Sequence, residues 1–237
     1  MENYAQFTER INSFEKPVLD LGKGNFSLNP RVKDKFDSNN NFRQFYGDTT
    51  VFDLPNDVKD RLNSIVDILY QSAEECFAAR VKTSTFHITL HDLSNSCDLS
   101  EIGGEVFRNE LKLLKFVHSN KISKCEVNFE TNYIFNMVST SLVLAVKPKT
   151  KEDYDNLMNL YGIVDCVKAL PYKLTPHITL AYYNVNGFGE DSAKKLCSAV
   201  NELNKEKFDI TVSSDNLYYE KFTDMNSYHR IFTFTKE

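Results

Sequence analysis

The sequence predicts an α+β fold built as two related lobes. Runs of aromatic and β-branched residues alternate with segments of helical apolar periodicity, and consecutive runs are joined by links short enough to favour antiparallel pairing. The order β-α-β-α-β-β-α-β-α-β-β repeats a β-α unit followed by further strands, which is the mark of a duplicated lobe. No Pro-rich or Ser/Gly-rich linker interrupts the middle of the chain, so both lobes are assigned to one domain, residues 45–237, behind an N-terminal arm, residues 1–44.

The arm is polar and ends in Asp37-Ser38-Asn39-Asn40-Asn41, so it reads as irregular with a turn. Phe45 to Leu54 reads as a strand closed by Pro55. From Pro55, which suits a first helical turn, Val58, Leu62, Ile65, Leu69 and Cys76 place one apolar face on a helix running to about Phe77. Further strands are expected at Thr83 to His91, Cys125 to Phe135, Thr140 to Val146, Leu174 to Tyr183, Phe208 to Tyr219 and His229 to Thr235. Helices are expected at Val106 to Val117 with Phe107, Leu111 and Leu114 inward, at Glu152 to Tyr161, and at Ser192 to Leu203.

Composition removes several function classes. The 237 residues carry 28 Lys plus Arg against 33 Asp plus Glu, a net charge of −5, so the chain is no bulk polycation for long duplex nucleic acid. No G-x-G-x-x-G or P-loop pattern occurs among its 8 glycines. Five cysteines, an odd number with no C-x-x-C, read as buried, reduced thiols of a cytoplasmic protein. The polar start, Met1-Glu2-Asn3-Tyr4-Ala5-Gln6, lacks signal-peptide character, and apolar runs such as Leu142 to Val146 fall far short of the roughly 20 residues needed to span a bilayer. No membrane association is expected.

One signal is local and occurs twice. Thr85-Phe86-His87-Ile88-Thr89-Leu90 and Thr175-Pro176-His177-Ile178-Thr179-Leu180 agree at five of six positions and lie 90 residues apart. For a given His, chance would supply the other four matches with odds of about one in 50,000 at typical residue frequencies. Alternation along a strand sends His87 and Thr89 to one face and Ile88 and Leu90 to the other; the second copy sends His177 and Thr179 opposite Ile178 and Leu180. Each strand thus has a greasy side for the core and a side with an imidazole beside a hydroxyl. A two-fold relation between lobes would turn both polar sides into a shared cleft.

Two imidazoles across a cleft suit phosphodiester chemistry. In-line displacement at phosphorus needs one group to take a proton from the attacking oxygen and another, opposite, to protonate the leaving oxygen, and His serves either role near neutral pH. The hydroxyls of Thr89 and Thr179 can donate to the non-bridging phosphate oxygens.

Paired H-x-T motifs about a hundred residues apart resemble the 2H phosphoesterase superfamily, the LigT-like proteins. Lys35-Phe36-Asp37 through Phe45-Tyr46-Gly47-Asp48-Thr49-Thr50-Val51, with Ser84-Thr85-Phe86-His87-Ile88-Thr89-Leu90-His91-Asp92, is similar to an uncharacterised bacterial branch of it; the likeness covers roughly residues 35–237. It implies two pseudo-symmetric α+β lobes around a central cleft. It also implies metal-independent hydrolysis, without a cofactor, of cyclic (2′,3′-type) or 2′,5′-linked phosphodiesters of nucleotides or RNA ends. In that reading His87 and His177 are the acid/base pair and Thr89 and Thr179 bind phosphate. The alternative is a non-catalytic module of the same fold that captures a nucleotide or RNA end.

Secondary candidates are fewer. His91, four residues after His87 on a regular strand, shares its face and would look into the cleft, the alternative being a polar residue at the surface end of the strand; Tyr183, six residues after His177, is placed to stack on a base, the alternative being one more core aromatic. A zinc pair of His87 and His91 is disfavoured, because residues four apart on a strand stand about 13 Å apart. Arg43, Lys82, Lys173 and Arg230 are candidate cleft cations. His118 and His229 lack a Thr or Ser two residues on and read as structural or exposed.

Overall fold

The computed structural model describes residues 2–22, 26–120 and 122–235. Residues 1, 23–25, 121, 236 and 237, which fall within the sequence-read arm and domain, lie outside that set. In chain order the elements are α1 (Tyr4–Ser13), α2 (Val32–Lys35), β1 (Tyr46–Asp53), α3 (Asn56–Ala73), β2 (His87–Ser96), α4 (Leu99–Ser119), β3 (Glu126–Met137), β4 (Ser141–Pro148), α5 (Lys151–Asp165), β5 (His177–Tyr182), α6 (Glu190–Leu203), β6 (Asp209–Ser213), β7 (Leu217–Asp224) and β8 (Ser227–Thr233).

The strands form two four-stranded sheets, β2-β1-β7-β8 and β5-β4-β3-β6, with every neighbouring pair antiparallel. The α+β class and the two lobes expected from the sequence are therefore present. The order β1-α3-β2-α4 recurs as β4-α5-β5-α6, so β2 and β5, the strands that begin at His87 and His177, hold equivalent edges and touch each other where the lobes meet. Ile88, Leu90, Ile178 and Leu180 are completely buried, which is the greasy side that alternation requires. Asp48, also buried, ties the first lobe together: it accepts from Ser94 N, Asn109 Nδ2 and the Tyr219 hydroxyl at 2.8, 3.1 and 3.0 Å.

Several expectations change. The segment Phe208 to Tyr219 is two strands in different sheets. Ser213-Ser214-Asp215-Asn216 breaks it in a 3₁₀ turn, where the Ser213 hydroxyl caps Asp215 N and Ser214 Oγ accepts from Cys125 N. Helix α4 begins under the Asp98 cap, two turns earlier than expected, and buries Ile102, Val106, Leu113 and Val117, leaving Phe107 and Leu111 exposed. The arm is not irregular throughout. Asn3 and Gln6 form a capping box for α1, and Phe7 and Ile11 bury one face of that helix, with Phe7 against Tyr154 of α5.

No disulfide joins the cysteines: Cys76 is buried, Cys125 and Cys197 are half-buried, and Cys97 and Cys166 are exposed, contrary to the expectation that all are core residues. Among the described residues no helix is long and apolar enough to cross a membrane.

Candidate active site

The two His-Thr copies are built alike down to the irregularities of their strands. Asp53 pairs with His87 and Val51 with Thr89 in the first sheet; Ala145 pairs with His177 and Val143 with Thr179 in the second. Directly after each Thr the strand bulges. Thr50 opposes His91, leaving Leu90 unpaired, and Leu142 opposes Ala181, leaving Leu180 unpaired. A bulge inserts one residue and reverses the facing of the residues beyond it, and bulges are enriched beside active sites.

That reversal decides the two secondary candidates. His91 does not share the face of His87: it is buried, its ring contacts the Asp92 carbonyl and lies 4.9 Å from the Tyr161 ring, and its Nε2 is 3.4 Å from Asp165 on α5. Asp92 takes the exposed face instead. Tyr183 is likewise in the core, completely buried between Phe26, Phe77 and Phe188, with no partner for its hydroxyl among the described residues. Tyr182 stands where Asp92 stands in the first lobe, its hydroxyl donating to Met225 Sδ at 3.2 Å.

Both imidazoles are held the same way. Nδ1 of His177 lies 2.7 Å from the carbonyl oxygen of Thr175, and the ring of His87 makes the corresponding bond to the backbone of Thr85. A carbonyl only accepts, so Nδ1 of His177 carries the hydrogen and the neutral ring presents a lone pair at Nε2. Burial pushes the His87 pKa down from 6.5 to about 4; its bond to Thr85 opposes the shift, and the neighbouring His177 adds to it. Burial also lowers His177, opposed by its bond to Thr175 and the charge of Asp92, while Lys35 lowers it further. The two rings begin strands that touch each other, and the charge of Asp92 bears on both.

Around them, the Tyr228 ring meets His87 edge-on at 5.2 Å, the Tyr172 hydroxyl donates to Asp92 at 2.9 Å, and the Lys35 ammonium lies 4.9 Å over Tyr182. Thr89 and Thr179 are half-exposed, and their hydroxyls make no hydrogen bond among the described residues. A pocket of about 340 Å³ opens beside His87, lined among others by Asp53, Lys82, Glu220, Tyr228 and Arg230. Of the candidate cations, Lys82 and Arg230 line this pocket. Arg230 is paired with Asp53 at 2.7 Å and Glu220 at 3.4 Å. Arg43 donates to the Lys33 carbonyl, and Lys173 pairs with Glu2 at 3.2 Å. His229 is exposed at the pocket rim and His118 is exposed on α4. No group of three potential metal ligands occurs among the described residues.

Sequence reasoning missed Arg10, Lys35, Asp92 and Tyr228. Arg10 alone had a local signal, since the capping box marks α1 and one turn separates its Arg from the buried Phe7.

No protein-family model and no curated protein sequence matches the chain. Its architecture does have a counterpart among solved proteins. The crystal structure of ATU0111 from Agrobacterium tumefaciens, a conserved protein of unknown function, matches with a TM-score of 0.67 at 14% identity, covering 88% of this chain and 94% of that one. The two share a fold. Looser similarities include E. coli LigT in apo form, TM-score 0.45 at 12% identity over 81% of this chain and 99% of that one. LigT complexed with 3′-AMP matches with a TM-score of 0.44 at 11% identity over 80% and 95%. At that distance they carry no argument about what this chain does.

Proposed function

We propose that the protein is a 2H-type phosphodiesterase, hydrolysing cyclic (2′,3′-type) or 2′,5′-linked phosphodiesters of nucleotides or RNA ends by two-histidine acid/base catalysis. The observation that carries this reading is the pair of imidazoles at the starts of equivalent, adjoining edge strands, each tied to the backbone two residues before it. With phosphorus between the rings, one Nε2 takes a proton from water as its oxygen bonds to phosphorus. The other, protonated, gives its proton to the ribose oxygen as the P–O bond breaks. Thr89 and Thr179 donate to the non-bridging oxygens, where charge must be held as the reaction proceeds.

The test is turnover of nucleoside 2′,3′-cyclic phosphates and 2′,5′-linked dinucleotides by the purified protein in EDTA. Product formation that disappears in both His87→Ala and His177→Ala supports the assignment. Undiminished turnover in either variant, or full dependence on added metal, contradicts it.

A further inference from the structure

The two halves of the cleft are not equally open. In the second sheet Ser141, Val143, Ala145 and Lys147 alternate onto the side of His177 and Thr179, since Ala145 and Val143 are their cross-strand partners. Val143 and Ala145 are 0% and 1% exposed. What covers this face is the chain's own N-terminal segment. The Tyr133 hydroxyl donates to the Ile11 carbonyl, Asn12 Oδ1 accepts from Asn132 Nδ2 at 3.1 Å and Lys147 Nζ at 3.3 Å, and Phe14 stacks on Phe135 at 5.9 Å. Phe135 is the partner of Val143, on the same side.

The first sheet is different. On the side of His87 and Thr89, Val51 is as buried as Val143, but Asp53, where the second sheet has the buried Ala145, keeps 23% of its side chain exposed and lines the 340 Å³ pocket with Glu220, Tyr228 and Arg230, the last 47% exposed. That volume is at the small end for organic ligands and matches one nucleoside with its donors and acceptors met by carboxylates, a guanidinium and an aromatic ring.

We infer that the N-terminal segment closes the second lobe's half of the cleft, so that the reacting phosphate has room for a nucleoside only on the His87 side. This narrows the reading above, on which it rests, to cyclic nucleotide phosphates, which carry one nucleoside on phosphorus. It excludes 2′,5′-linked dinucleotides, which carry one on each side.

Two probes decide it: adenosine 2′,3′-cyclic phosphate and 2′,5′-linked diadenosine monophosphate, measured for turnover and, by calorimetry, for binding to the full chain. The expected result is kcat/KM at least about 100-fold higher for the cyclic probe, a discrimination within reach of steric exclusion. Phe14→Ala, which removes an exposed part of the cover, should shrink that ratio several-fold while cyclic turnover is kept. Ser227→Trp, which fills the pocket, should raise KM for the cyclic probe. Equal kcat/KM for both probes in the full chain overturns the inference while leaving the phosphodiesterase reading intact. If neither probe is turned over, that reading fails, and calorimetry still decides the inference: binding of the cyclic probe but not the dinucleotide supports it, and binding of both or of neither overturns it.

Discussion

Nδ1 of His177 is anchored on the carbonyl oxygen of Thr175, and the same Thr175 takes a hydrogen bond at Oγ1 from Arg10 at 3.1 Å. The Arg10 guanidinium also donates to the Leu174 carbonyl at 2.8 Å and pairs with Glu2 at 2.9 Å, whose carboxyl it holds below the usual range. The N-terminal helix thereby fixes the segment that sets the orientation of an imidazole 167 residues away in sequence (177 − 10).

Removing that anchor should act on catalysis more than on binding. Arg10→Ala is expected to lower kcat about tenfold with KM nearly unchanged, the scale of losing hydrogen bonds from a charged group. Arg10→Lys should restore part of it. Steady-state kinetics with a thermal midpoint for each variant checks this; a loss confined to the midpoint would assign Arg10 to stability alone.

On the proposed mechanism the hydroxyls have a separable role. Thr89→Val and Thr179→Val remove one donor each while keeping shape, and each should lower kcat by about 10²-fold, as removal of a single oxyanion donor does. Parallel titrations with inorganic phosphate should show weaker binding in both variants.

The pH dependence is set by the direction of the histidine shifts. His87 is pushed down to about 4 and His177 also lies below 6.5, so both are neutral in the free protein at neutral pH. Acid/base catalysis needs one proton on the pair. kcat/KM, which reports the free enzyme, should therefore peak on the acid side and fall as pH rises through neutrality. The kcat optimum should sit higher, because a bound phosphate anion favours an imidazolium. Rate profiles from acid to alkaline pH test both statements.

Stability carries the same signature with a definite sign. The unfolded chain takes up a proton at His87 near 6.5, the folded protein only near 4, so between those values acid favours unfolding. Stability is expected to fall as pH drops through that window, and His87→Gln should flatten the fall. Urea unfolding midpoints across the window measure it.

Much of this arrangement is legible in the sequence because it depends on local alternation. The repeated Thr-x-His-Ile-Thr-Leu places Ile88, Leu90, Ile178 and Leu180 in the core and leaves His87, Thr89, His177 and Thr179 on the other side. Alternation could not give the changes made by the bulges. A single unpaired Leu90 turns His91 inward and Asp92 outward, and the unpaired Leu180 likewise turns Tyr183 into the core and puts Tyr182 at the position of Asp92. The faces of long helices fail for a related reason: the buried stripe of α4 emerges only when the helix starts at Leu99, and the apolar pair Phe107 and Leu111 pointed to the wrong side. Tertiary neighbours such as Arg10 and Tyr228 come from opposite ends of the chain, where no periodicity connects them to the motifs.

The central claim is that one phosphate is held by both imidazoles at once. Titrating inorganic phosphate into protein with ¹⁵N-labelled histidines, and following the ring resonances of His87 and His177, tests it most directly. Both should shift together along one saturation curve with one anion per chain, and both should titrate at higher pH when saturated. Independent curves, or a response from one ring alone, would contradict the claim.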